Sequence, residues 1–231
     1  MALGKRLINT GGGGGAISYV ASSSSDSANL NVNTLAVNIP AERSLGDLIV
    51  VITGHKEGSF SQSTAGTGFT FVHQANNVEI DYAIYYKISD GTEPTTVSFS
   101  SLSWADKMIA STFVLSGTAT SSPIVVGTDS ITSTPYNPSH PGLSGNETDA
   151  ILFYGVAQAQ YTYPISMNGP DFTNFETSLS WRPSSGGSDG INHIMSLRNQ
   201  DTVLATAQSA SMSSPAPFNN TIVNQFRILA A

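Results

Sequence analysis

Apolar and polar residues alternate with a period of two along most of this chain, and no stretch of helical length sustains a period near 3.6. The clearest run is Ile80 to Ile88. Ile80, Tyr82, Ile84, Tyr86 and Ile88 fall on one face, and Asp81, Ala83, Tyr85 and Lys87 fall on the other. Asp90-Gly91 follows as a turn signal, and Thr95, Val97 and Phe99 resume the alternation, so residues 79–101 are predicted to form a β-hairpin. Leu48 to Ile52, after Gly46-Asp47, is apolar on both faces and predicts a central strand covered on each side. Met108 to Leu115 and Thr221 to Leu229 fit core strands. Leu30 and Val32 have one parity while Leu35, Val37 and Ile39 have the other, which predicts a bulge between them.

Proline and glycine divide the chain. Pro135, Pro138, Pro141, Gly142 and Gly145 mark residues 133–147 as a long connection, and residues 184–190 read as an exposed loop. The segments on either side echo each other. Gly46-Asp47-Leu-Ile-Val-Val leads to Gly68-Phe69-Thr70, and Thr148-Asp149-Ala-Ile-Leu-Phe leads to Asp171-Phe172-Thr173. Duplication and chance agreement both account for this. The expected fold is all-β: an antiparallel β-sandwich with jelly-roll-like or Greek-key connections, built from halves near 16–132 and 148–231. An extended arm of residues 1–15 precedes this 16–231 body.

Composition narrows the function classes. Of 231 residues, 39% are hydrophobic and 11% charged, a balance that disfavours disorder. The formal charge is −7, and two of the nine bases, Lys5 and Arg6, sit in the arm, so nucleic-acid binding by the body is not expected. Without cysteine there is no disulfide framework or thiol catalysis. After Lys5 and Arg6 only Leu7 and Ile8 precede the glycines, too few for a secretory apolar region, and no apolar run is long enough to insert in a membrane. The expectation is a soluble protein made in the cytoplasm.

Residues suited to chemistry are sparse. His55, His73, His140 and His193 stand far apart, without metal-ligand spacing. Gly11 to Gly15 lacks the Lys-Ser/Thr ending of a phosphate loop, and no nucleophile-elbow motif occurs. Glu79 and Asp81 share one side of a strand, as a glycosidase pair could, but the polar face of an amphipathic strand explains them better. No enzyme activity, cofactor or metal is expected. Tyr161, Tyr163 and Trp181, with Trp104 and Tyr136, are aromatics near loops on which a sugar could stack; core or interface packing explains them equally well.

The arm carries the strongest functional signal. Leu3, Leu7 and Ile8 suit an apolar groove or an added edge strand, and Lys5 and Arg6 suit carboxylates on a partner. The five glycines form a hinge that costs much entropy to order. Met1-Ala-Leu-Gly-Lys-Arg-Leu-Ile-Asn-Thr-Gly-Gly resembles the N-terminus of virion structural proteins of tailed bacteriophages, notably from aquatic hosts. The pattern Gly46-Asp47-Leu-Ile-Val-Val, Gly68-Phe69-Thr70, Tyr85-Tyr86-Lys87 and Gly91-Thr92-Glu93-Pro94 is similar to a β module of phage appendage and bacterial surface proteins. The resemblance implies a virion-exterior structural protein, synthesised in the host cytoplasm and anchored by its arm to other virion proteins. Capsid decoration is the favoured role, and a tail or fibre component that binds host surface glycans is the alternative. A polysaccharide-degrading enzyme ranks below both. Homo-oligomers are common among such components, although no heptad or stalk repeat is present here.

Overall fold

The computed structural model describes residues 17–27, 32–56, 67–77, 80–105, 107–132, 143, 148–159, 166–168, 190–199, 211–213 and 218–231. All regular elements among them are strands, and the expected all-β antiparallel sandwich is what they form. In chain order these are β1 (Ser18–Asp26), β2 (Val32–Asn38), β3 (Leu48–Lys56), β4 (Thr70–Asn77), β5 (Ile80–Ile88), β6 (Thr96–Ala105) and β7 (Lys107–Ser116). They continue with β8 (Ile124–Val126), β9 (Ser130–Thr132), β10 (Ala150–Ala159), β11 (Ser166–Asn168), β12 (Gly190–Asn199), β13 (Ser211–Ser213) and β14 (Phe218–Ile228).

Two five-stranded sheets pack face to face. The first has the order β1-β7-β3-β5-β4; the second runs β12-β10-β14-β8, with β9 also paired to β14. Their inner faces make the main core: Val50, Ile52, Ile84 and Phe113 from the first sheet meet Leu152, Tyr154, Met195 and Phe226 from the second. A fully buried side chain of this size stabilises by about 2–3 kcal/mol, which makes this layer the principal driving force.

A two-stranded sheet, β2-β6, covers the outer face of the first sheet. Leu35, Val37, Val97 and Phe99 pack there against Ile49, Val51, Ala83, Tyr85 and Val114, forming a second core. The run Leu48 to Ile52 is therefore covered on both sides, as its unbroken apolarity predicts. A register shift falls between Val32 and Thr34, where an irregularity was expected, but two steps of β2 stand there against five of β6, from Ser100 to Ala105, so the extra residues lie in β6.

The predicted 79–101 hairpin does not form. β5 pairs with β3 and β4, whereas β6 pairs with β2 in the next layer. The side chain of Glu93 prevents a tight two-residue turn by folding back into the corner. Its carboxylate accepts from Asp90 N (2.8 Å), Ser89 Oγ (2.9 Å) and Lys87 Nζ (3.0 Å). Arg43 closes the corner through Nε to Glu93 Oε2 at 3.2 Å and through a guanidinium bond to the Glu93 carbonyl. The corner lifts the chain out of one sheet and into the next. The face of β5 bearing Asp81, Ala83 and Tyr85 is consequently buried rather than solvated.

The two large sheets repeat each other's pairing. β3 pairs Leu48 with Leu115, Val50 with Phe113, Ile52 with Ser111 and Gly54 with Ile109 of β7. In the same steps β10 pairs Ala150 with Ile228, Leu152 with Phe226, Tyr154 with Asn224 and Val156 with Ile222 of β14. On the other side, Ile84 and Tyr82 of β5 stand to β3 as Met195 and His193 of β12 stand to β10. β5 packs on β10 as β12 packs on β3, and β12 meets β7 as β5 meets β14. The triplets β3-β5-β7 and β10-β12-β14 are thus related by an approximate two-fold axis.

Candidate functional site

Polar side chains inside a sandwich need partners, because an unmet buried donor or acceptor costs about 1–3 kcal/mol. Two such groupings occupy positions related by the approximate two-fold. In one, His193 Nε2 of β12 lies 2.7 Å from Ser111 Oγ of β7. In the other, Asn224 Nδ2 of β14 donates to Tyr82 Oη of β5 at 2.8 Å. Ser111 and His193 are almost wholly buried. Burial lowers the imidazole pKa to about 3, so His193 is neutral at physiological pH. His193 Nδ1 is buried without a hydrogen-bond partner. A serine bonded to a histidine suggests a nucleophile and its base, but this depth in the core gives a substrate no route to it.

The second grouping reaches the surface. Tyr82 Oη donates to Asp129 Oδ1 at 2.5 Å, Asn224 Nδ2 donates to the same oxygen at 2.6 Å, and His73 Nε2 lies 2.8 Å from Asp129 Oδ2. The side chains of His73 and Asp129 remain 30% and 18% exposed, so solvent can reach this histidine–carboxylate pair. Burial, then the Asp129 charge, raises the Tyr82 phenol far above its usual range and keeps it a donor. Its ring packs 4.8 Å from that of Tyr154.

Two bulges on facing edge strands bring His73 and Asp129 together. In β4 the pairing with β5 slips by one residue between Phe71 and His73. Between β8 and β9, residues 127–129 stand opposite 224 and 225 of β14, again one residue too many. Bulges of this kind redirect side chains at sheet edges. Gly127 makes the second one feasible: its N–H donates to Gln225 O at 2.8 Å, and a Cβ there would lie 2.7 Å from that carbonyl oxygen.

A third pair lies under β2-β6. His55 Nδ1 is 2.7 Å from Asp81 Oδ1, with side chains 1% and 8% exposed. Burial raises the Asp81 carboxyl, and the hydrogen bond and charge of His55 offset part of the rise. Asp81, expected on a solvated face, is instead buried and hydrogen-bonded to His55.

A carboxylate that fixes one imidazole nitrogen leaves the other able to exchange a proton with solvent, and the same bonds tie the edges of the two sheets. Among the described residues, no group of three or more His, Asp or Glu could hold a metal ion. The arm residues Leu3, Lys5, Arg6, Leu7 and Ile8, and the aromatics Tyr136, Tyr161, Tyr163 and Trp181, lie outside the described residues. None of the groupings above was legible from motif spacing: His73 and Asp129 are 56 positions apart and meet only through the bulges. Gly127 beside Asp129 was the available signal, since a glycine within a strand pattern marks a bulge. Compared with models of known protein families, with curated proteins and with solved structures, the chain has no match.

Proposed function

We propose that this protein is a structural component of the exterior of a tailed-phage particle, anchored by residues 1–15, with capsid decoration the favoured role. The observation that carries the reading is the junction of arm and body. The basic, apolar leader and five glycines end two positions before Ile17, which is buried in the main core. Ile17 leads directly into β1, an edge strand of the first sheet. A segment hinged immediately beside a fixed point at a sheet edge can engage a neighbouring subunit without disturbing the core. The buried histidine and carboxylate groups also fit a load-bearing role, because each joins strands or layers distant in sequence.

The test is deletion of residues 2–15. The truncated protein is expected to fold with an unchanged thermal transition and to lose its place on particles. Retention of wild-type occupancy would overturn the anchoring reading.

A further inference from the structure

We infer that His193 is an acid-sensitive release: proton uptake by its ring parts β12 from β3 and β7, while the first sheet and its β2-β6 layer stay folded. This inference is independent of the virion reading.

The surroundings of the ring hold no counter-charge for an imidazolium. His193 shares the inner face of β12 with Ile191 and Met195 and bonds across the sandwich to Ser111 of β7. Its Nδ1 is buried without a hydrogen-bond partner. β3, β7, β10 and β11 pack against β12. Their sequences, LIVVITGHK, KMIASTFVLS, AILFYGVAQA and SMN, contain no Asp or Glu. The titratable groups they turn inward are Tyr154, whose ring lies 5.9 Å away and edge-on, and Lys56 and Lys107, which share the parity of Ile52 and Ile109. Burial raises the Tyr154 phenol and keeps it neutral; the lysines can only repel a second cation. His55 and Arg198 have the opposite parity on their strands. By contrast, His55 meets Asp81 and His73 meets Asp129.

The rest of the molecule can keep its packing when β12 moves. The first sheet has a second apolar layer, in which Leu35, Val37, Val97 and Phe99 cover Ile49, Val51, Tyr85 and Val114. Elsewhere in the sandwich Asp129 joins Tyr82 of β5 and His73 of β4 to Asn224 of β14, which holds those strands together. A charged ring on β12 gains hydration only by leaving β7. In the packed protein the ring has a pKa of about 3, and an ordinary histidine has 6.5. The released strand therefore binds the proton first, and release grows as the pH falls below 6.5. Acidification from pH 7.5 to 4.5 raises the released population about 100-fold.

Two native methionines report on the two layers. Met195 of β12 lies in the main core and Met108 of β7 in the layer under β2-β6, both with no exposed surface. Peroxide converts a thioether to its sulfoxide once solvent reaches it. The test is peroxide oxidation of the full chain at pH 7.5 and 4.5, read by peptide mass mapping and scaled to the unfolded chain at each pH. Met195 should oxidise about 100-fold faster at pH 4.5 than at 7.5, and at least about tenfold faster than Met108 at pH 4.5. His193→Gln should remove the rise at Met195. A Met195 rate indifferent to pH, or a rise that persists in His193→Gln, overturns the inference. So does equal oxidation of Met195 and Met108 at pH 4.5, which would make the opening global; this outcome is read in the wild type and needs no variant.

Discussion

His193 makes the stability of this protein depend on pH below the ordinary histidine range. The folded-state pKa is about 3 because the ring is buried, against 6.5 for an unperturbed histidine. A base whose pKa is depressed by folding is protonated first in the unfolded chain. Between pH 6.5 and 3 the unfolded state therefore binds more protons, and stability falls as the solution is acidified. Each pH unit in this window costs about 1.4 kcal/mol, so acidification to pH 4.5 costs about 3 kcal/mol through this one side chain. Denaturant unfolding of the wild type and His193→Gln, from pH 7.5 to 4.5, isolates the effect. Glutamine can still bond Ser111 but has no proton to gain. The variant is expected to be the less stable at pH 7.5 and to close or reverse that gap by pH 4.5. Two curves that stay parallel across this range would show that His193 is protonated in the folded protein, and the burial argument would fail.

The rim grouping and the β5–β6 corner give two further expectations. Asp129→Ala removes the acceptor shared by Tyr82, Asn224 and His73 and should cost about 3 kcal/mol; Asp129→Asn keeps an oxygen for Tyr82 and Asn224 and should cost about half as much, both read by denaturant titration. At Glu93, burial works to raise the pKa, but bonds from the backbone, Lys87 and Ser89 outweigh it and hold the carboxyl at about 2. Its contribution is accordingly complete above about pH 4.5 and lost as the pH falls toward 2. Glu93→Gln should destabilise at pH 6 and converge with the wild type near pH 2, as measured by thermal melting at each pH.

Strand character was legible wherever burial is one-sided or complete. Leu48 to Ile52 could only be a strand with a layer on each face, and it is. Partner choice was less legible. Asp90-Gly91 is a sound local turn signal, yet the contacts that decide the corner come from Arg43 and Glu93, 50 positions apart. Local alternation also cannot distinguish a solvated face from one covered by a distant pair of strands, which is why Asp81 was misassigned. One signal was present and unread. Ile109-x-Ser-x-Phe113-x-Leu115 and Ile222-x-Asn-x-Phe226-x-Ile228 share a pattern, and these residues occupy matching register positions in the two sheets. The half-exposed His73–Asp129 pair was invisible in sequence, because two one-residue bulges, not any local spacing, create it.

The repeated pairing of β3-β5-β7 and β10-β12-β14 has a consequence for what half of this molecule could be. Each triplet turns one apolar face toward the other, so neither could shield that face from water by itself. A chain of half the length would find the missing surface on its own twin, and its interior would be the contact between subunits. Joining the two in one polypeptide makes that contact unimolecular and independent of concentration. It also lets corresponding positions differ: one polar position is histidine facing serine, and its counterpart is tyrosine facing asparagine, with a route to the surface.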